Sequence, residues 1–277
     1  MVSTRRHDTP GIGRLDALAY RFEPITLAQM EHVRLMNRTD TKYWLSAPEL
    51  PVILDALRAD YRWLHIDNHP CCSYETMYYD TPDLRLYHDH QAGRPKRYKV
   101  RQRWYVESDV AFTEVKHKSH KRRTHKSRIP FGGGFMPDNG AFGTSYRFGL
   151  DADSQGFVAG QTAGAIRPLN PSELLPVLWV GYTRLTLVHR VSAERLTLDL
   201  NLSFRNHRAE TSFSQLVIAE VKQDARQASP FVDLMRDEHR RPGGLSKYCL
   251  GMLSLNPDLK HNRFKPRLKQ LQPYLSA

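Results

Sequence analysis

Between Arg94 and Arg128 the chain places charge at every second position, and no other feature restricts its fold as much. Arg97, Lys99, Arg101 and Arg103 are cations, while Tyr98, Val100, Gln102 and Trp104 between them are mostly apolar. A period of two is a β-strand with one charged and one apolar face. After a polar break at 107–109 the pattern returns in Glu114, Lys116 and Lys118, and again in Lys126 and Arg128. Three successive strands therefore carry charge on one face. Cations two residues apart in a strand lie about 6.6 Å from each other. Each pair repels by roughly 0.6 kcal/mol in water and by about 2.5 kcal/mol at an effective dielectric of 20. A solvated face tolerates this; an enclosed face needs anions between the charges. The plain reading is a two-layer protein that turns a basic sheet face to water, but such faces usually interleave Thr, Ser and Glu. The sharper reading is an anion site built from facing strands. Phosphate is its natural occupant, because Arg grips it bidentately and Lys binds it as a point charge.

The remaining chain supplies more strands and the helices to cover them. Thr26 is placed to cap a helix through Met36, and Arg38, Asp40 and Lys42 alternate along a strand. Ser46 and Glu49 form a capping box for a helix over 47–59, with Leu50, Ile53, Leu54 and Leu57 as its core stripe. Cys72–Tyr79 reads as a strand ending in a turn at Asp80–Asp83. A short helical turn and a loop follow; His88 and His90, lacking a third metal ligand nearby, read as a polar turn. Residues 132–170 are glycine-rich, a long connection with one short helix; the glycine triplet lacks the lysine and strand–helix context of a P-loop. Residues 177–191 and 195–202 form a hairpin about Ser192–Ala193. In it Tyr182, Arg184 and Thr186 share one parity, and Arg195, Thr197, Asp199 and Asn201 oppose four leucines. Leu216–Lys222 is a further strand carrying Glu220. Ser229–Pro230 opens a helix that stops near Arg241, and Ser246 caps a last helix through Leu255. Lys247 in its first turn opposes the helix dipole, which suits a lysine that faces an anion. These features divide the chain into a loose basic arm at 1–20, one α+β domain at 21–256 and a solvated basic tail at 257–277.

Composition narrows the partners. In 277 residues, 41 Lys and Arg against 29 Asp and Glu give a net charge of +12, which points to nucleotides, polyphosphate, nucleic acid or anionic lipid. Nucleic acid is not expected, because Tyr98 and Trp104 lie on the parity opposite the cations, where bases could not stack beside them. Three cysteines make neither a disulfide framework nor a zinc pattern and favour a reducing compartment. No apolar run approaches the ~20 residues of a spanning helix, and no signal-peptide core is present. The expectation is a soluble, cytoplasmic protein.

Taken in order, with Tyr79-Asp80-Thr81 before the basic strands and Ser246-Lys247-Tyr248 after them, the charged alternations resemble the VTC domain of polyphosphate polymerases. That domain belongs to the triphosphate tunnel metalloenzymes, the CYTH-like group. The resemblance spans about Phe22 to Leu255. It implies a closed antiparallel β-barrel of about eight strands, basic inside and packed outside by helices. It also implies transfer of the γ-phosphate of ATP to a growing polyphosphate chain. With water as acceptor, the same site would be a tripolyphosphatase or nucleoside triphosphatase. Without turnover, the fold would serve as a polyphosphate-binding module.

By this resemblance Arg101, Arg103, Arg184, Arg195 and Lys247 carry the chemistry. By it Lys42, Lys116 and Lys126 bind phosphate, and the alternation adds Arg97, Lys99, Lys118 and Arg128 of the same charged parity, with Tyr182 beside Arg184, as further phosphate-binding candidates. Glu220 holds Mn²⁺ or Mg²⁺, with Asp199, Glu114 and Asp40 as the next candidates. Asp40 departs from the family's frequent glutamate. No SPX-like region or membrane segment accompanies the domain, so any membrane association would need a separate chain.

Overall fold

The alternating segments fold as strands of one sheet in the computed structural model, which describes residues 12–32, 39–118, 124–132, 149–224 and 227–275. Helix α1 (Ile12–Ala19) leads to the short strand β1 (Pro24–Ile25), then β2 (Thr39–Ser46), α2 (Leu50–Leu57) and β3 (Tyr61–Leu64). Strand β4 (Cys71–Asp80) and α3 (Arg85–Ala92) precede the basic strands β5 (Arg97–Tyr105), β6 (Val110–Lys118) and β7 (Thr124–Pro130). After α4 (Ala152–Thr162) come the hairpin β8 (Leu175–His189) and β9 (Glu194–Arg205), then β10 (Glu210–Phe213) and β11 (Leu216–Gln223). Helices α5 (Pro230–Asp237), α6 (Lys247–Leu255) and α7 (Lys265–Leu271) complete the chain.

The strand order is β2-β11-β9-β8-β4-β5-β6-β7, and every pairing along it is antiparallel. The large antiparallel sheet is as expected, but no pairing among the described residues joins its end strands β2 and β7 into the expected closed barrel. Part of the unpaired side of β2 is taken by the turn before α6, where Gly243 N–H donates to Lys42 O at 2.9 Å. The approach is so close that a Cβ at Gly243 would lie 2.8 Å from the Trp44 ring, which only glycine permits.

Register fixes what each face carries. Tyr43 and Leu45 of β2, Leu185 and Leu187 of β8, and Val217, Ala219 and Val221 of β11 bury one apolar face against Leu50, Leu54, Phe231 and Met235 of the covering helices. On β4, β5 and β6 that face carries Met77, Tyr79, Val100 and Val115 against Val158 of α4. Buried polar groups there are paired in a chain from Tyr79 through Gln102 and Thr113 to Ser154.

Several expectations are corrected. The leucines of β9 do not share one side. Asn201 stands at φ +51° and the β8–β9 register shifts beside it, so Leu196, Leu198 and Leu200 pack outward whereas Leu202 and Phe204 join the other face. A bulge adds one residue and reverses the parity beyond it. Helices cover both faces, not the outer one alone. Tyr87 of α3, Tyr248 and Leu250 of α6 and Leu271 of α7 pack on Tyr78, Leu178, Val180 and Phe204 of the charged-parity face.

The segment around His88 and His90 is helix α3 rather than a turn, because the buried carboxylate of Asp80 accepts N–H bonds from Leu86 and Tyr87 at its start. Of the helix expected over 26–36, residues Gln29–His32 form a 3-10 turn, and Arg38 lies outside the described residues. The helix after Ser46 begins as a 3-10 turn and stops at Leu57, and α5 ends at Asp237. Residues 12–19 of the expected arm are helical, with Leu15 and Ala19 buried. The tail is not simply solvated: Phe264 and Leu271 are buried, and Tyr87 Oη donates to Lys260 O at 3.0 Å. Burying two such side chains contributes about 3–6 kcal/mol before ordering costs, enough to dock a basic segment.

Candidate functional site

The charged parities of the sheet converge on one face, as the register requires. Lys99 lies opposite Lys116 and Lys116 opposite Lys126; Arg101 lies opposite Glu114 and Glu114 opposite Arg128. On the other wing Arg184 faces Asp199, Arg195 faces Lys222, and Glu220 faces Lys42. Lys222 likewise faces Asp40, which places Asp40 on this same face.

Three carboxylates, Asp199 and Glu114 buried and Glu220 partly so, organise the cations, each held by two of them. Asp199 receives Arg184 through both oxygens, at 2.5 and 2.8 Å, and also binds Lys247 from α6. Glu114 binds Arg101 at 2.6 Å and Lys126 on its other oxygen. Glu220 binds Lys42 with one oxygen and Lys222 with the other at 2.6 Å, and Lys222 also donates to Thr197 Oγ1 at 3.1 Å. Burial alone would raise Asp199 and Glu114, but their cationic partners outweigh it and hold both carboxyls far below the usual range. Among the lysines burial prevails. Lys42 is depressed to about 6 by burial, then by the Lys222 and Lys247 charges. Lys222 lies well below its ordinary value through burial, then Arg184 and Arg195. Burial depresses Lys99 and Lys126 as well, Lys126 despite its pairing with Glu114.

An aromatic band joins the wings. Tyr74 and Tyr182 stack at 5.1 Å, and the guanidinium of Arg103 lies 5.6 and 5.9 Å from their centroids. Arg184 lies 5.0 and 5.3 Å from the same rings, and Lys247 Nζ is 4.3 Å from Tyr182. Two arginines from separate strands and a lysine from α6 therefore share one ring pair. Arg103 also donates to Thr76 Oγ1 at 3.2 Å, and Arg101 to Tyr78 Oη at 3.1 Å. Burial would raise the Tyr78 phenol, yet Arg101, Arg103 and Lys99 together lower it. The charged face thus does contain aromatic rings, but they are buried beneath the cations.

Of the residues singled out from sequence, Arg101, Arg103, Glu114 and Lys126 form one group. Arg184, Tyr182, Asp199, Lys247, Lys42 and Glu220 form the other, with Arg195 facing Lys222 beside it. Arg97, Lys99, Lys116 and Lys118 line a separate cavity. Arg128 stands apart, stacked 4.2 Å over Phe112. Sequence reasoning did not assign roles to Lys222, Thr197, Tyr74 or Tyr78. The signal was present for the tyrosines, since Cys72, Tyr74, Thr76 and Tyr78 alternate in phase with the cations across from them.

The two motifs that bracket the basic strands meet in space. Tyr248 Oη donates to Asp80 Oδ2, and the same carboxylate caps α3. Ser246 Oγ accepts from Cys249 N at 3.2 Å, so the start of α6 is fixed both by its cap and by Asp80. Lys247 lies between these anchors and reaches Asp199. Its position against the helix dipole is thereby offset by a carboxylate.

A family model for the VTC domain matches residues 37–256, from β2 to the end of α6. The chain belongs to the VTC domain family. No curated protein matches it. Among solved structures, a candidate adenylate cyclase from Vibrio parahaemolyticus is similar at 13% identity and TM-score 0.43, covering 78% of this chain and 99% of that one. A protein of Pyrococcus horikoshii is similar at 11% identity and TM-score 0.42, covering 80% and 99%. A candidate adenylyl cyclase from Hippeastrum, for which a dominant triphosphatase activity is described, is similar at 14% identity and TM-score 0.41, covering 79% and 96%. No helix among the described residues of this VTC domain is long and apolar enough to cross a membrane.

Proposed function

We propose that this VTC domain is a metal-dependent polyphosphate polymerase that transfers the γ-phosphate of ATP to the end of a polyphosphate chain. The observation that carries this reading is the convergence of Arg103, Arg184 and Lys247 on the Tyr74–Tyr182 pair, flanked by carboxylates that hold further cations. Phosphoryl transfer asks for in-line alignment and neutralisation of the transferred oxygens rather than for covalent chemistry. Arg184, held bidentately by Asp199, and Arg103, held by Thr76, supply both without reorganising. The terminal phosphate oxygen of the chain attacks the γ-phosphorus, and the bond to the β-phosphate oxygen breaks. ADP leaves with that electron pair. Because the acceptor is already anionic at neutral pH, no general base is required.

Mn²⁺ or Mg²⁺ is assigned to Glu220. No group of three or more His, Cys, Asp or Glu gathers among the described residues. Small divalent ions are typically held by one or two carboxylates together with substrate phosphates, and one carboxylate fits that pattern. Glu220 is partly exposed on the charged face, with Lys42 on one oxygen and Lys222 on the other. When bound, the ion supplies Lewis-acid polarisation of the phosphate oxygens. Around it Lys42 and Lys222 orient Glu220, while Arg184 and Lys247 hold phosphate.

The stoichiometry of products tests the reading. With ATP and Mn²⁺ we expect ADP to exceed free phosphate by a wide margin. Equal release of ADP and phosphate would make the domain a triphosphatase, and no release of either would leave it a binding module.

A further inference from the structure

Glu75 is an acid that the phosphoryl-transfer groups do not use, and it stands directly behind them. It shares the face of Met77 and Tyr79 on β4, while its neighbours Tyr74 and Thr76 point to the charged face, where they carry the ring pair and Arg103. Across the sheet it pairs with Gly181 of β8 and Trp104 of β5. Gly181 leaves the backbone bare there. A Cβ would lie 2.7 Å from Ser203 Oγ and 3.3 Å from Glu75 Oε2, so both side chains fold over it. Ser203 Oγ also donates to Gly181 O at 3.4 Å. The next residue is Tyr182, and the β8–β9 register shifts across it, opposite the left-handed Asn201. The backbone that aims Tyr182 is therefore clasped from behind by Glu75 and Ser203.

The carboxyl in this clasp is incompletely satisfied. Its Oε2 is closed off from solvent and takes no hydrogen bond, although the Trp179 indole donates to the group. Arg205 faces it from β9, stacked 5.7 Å from Trp179. The other elements around it bring acids. Glu107 takes the Ser73 N–H, Asp109 takes the Trp104 indole, and Asp151 and Asp153 start α4, the helix packed beside Met77. Burial pushes the Glu75 carboxyl up to about 7, with the Trp179 bond and the Arg205 charge opposing it. A neutral acid leaves Oε2 uncharged against Gly181. An ion leaves a bare charge there and is drawn towards Arg205 or water.

We infer that Glu75 is a proton-linked positioning residue: its neutral form clasps Gly181 and holds Tyr182 beneath Arg103, Arg184 and Lys247, and its ionised form withdraws and loosens that platform. The inference rests on the proposed reading of the charged face as a phosphate site and adds a control exerted from the opposite face. Phosphate chains are then held more tightly on the acid side of neutrality for a reason separate from the lysines.

Tripolyphosphate affinity without metal, measured from about pH 5.5 to 8.5 in wild type, Glu75→Gln and Asp153→Asn, tests this. The lysines are common to all three, so their titration cancels when affinities are compared at each pH. Asp153 is an exposed acid of α4, and its variant changes net charge equally without touching Gly181. We expect Glu75→Gln to match wild type at the acid end and to bind about three- to tenfold more tightly at the alkaline end. Asp153→Asn should run parallel to wild type throughout. Thermal unfolding over the same range reports the titration itself. A carboxyl raised on folding contributes stability below its unfolded value and loses it as pH rises through about 7, so the Tm of wild type should fall relative to Glu75→Gln. Glu75→Met supplies a second neutral side chain if the amide disturbs packing. A pH-independent affinity ratio would overturn the inference, and a Tm difference alone would make Glu75 a structural group. An equal change in Asp153→Asn would overturn it too, by assigning the effect to net charge. Wild type that bound no tripolyphosphate at any pH would overturn the reading of the charged face, and the inference with it.

Discussion

At the scale of single residues, Glu220 is where binding and turnover separate. Its oxygens are shared between Lys42 and Lys222, in a face otherwise lined mostly by Arg and Lys. Glu220→Gln keeps the shape and removes the charge. Turnover of ATP should fall by at least about a hundredfold, as expected for loss of a metal's charge stabilisation, while polyphosphate affinity stays near wild type. Turnover at wild-type level would move the metal to Asp199, Glu114 or Asp40. Lys42 gives a second, pH-linked outcome. Its folded value is depressed to about 6, and Lys222, Lys99 and Lys126 are depressed too. A bound polyanion raises such groups, so the complex holds more protons than the free protein in the window above pH 6. Affinity for tripolyphosphate should therefore decline as pH rises through that window, with proton uptake on binding. Calorimetry in buffers of different ionisation enthalpy measures the uptake, and Lys42→Met should reduce it. Uptake unchanged in that variant would show that Lys42 keeps its proton throughout.

Among the elements, α6 matters most to the site, because it carries Lys247 to Asp199 while Tyr248 ties it to Asp80. Tyr248→Phe keeps the ring stacked on Tyr78 and deletes the hydroxyl bond. A buried carboxylate losing one partner costs about 1–3 kcal/mol, and the start of α6 loses one of its two anchors. We expect kcat to fall about tenfold with KM little changed, together with a lower Tm. If Tm alone falls, the bond is structural only. The strands that build this face were legible because period-two charge can only be a strand. What was not legible depends on backbone or distant contacts. Asn201 reverses the parity of β9 through a left-handed φ that no pattern of leucines reveals. Helix α3 starts from Leu84 at φ +53°, and its N–H groups are satisfied by Asp80 at the end of a strand, so no local cap marked it. α7 is anchored by two buried residues, Phe264 and Leu271, in an otherwise basic stretch. The ion pairs also lay beyond sequence, since Asp199 with Lys247 and Glu220 with Lys42 join residues far apart in the chain.

Across the whole molecule, one antiparallel sheet gathers charge from β2 to β7 on a single face, and its edges are left unjoined among the described residues. The VTC match extends over that sheet and α6. In a polymerase, phosphate taken from ATP ends in a chain. ATP labelled at the γ-phosphate, incubated with the protein and Mn²⁺ and resolved by size, follows that phosphate directly. We expect label in long-chain polyphosphate, absent with Glu220→Gln. Label recovered wholly as free phosphate, or left in ATP, would contradict it.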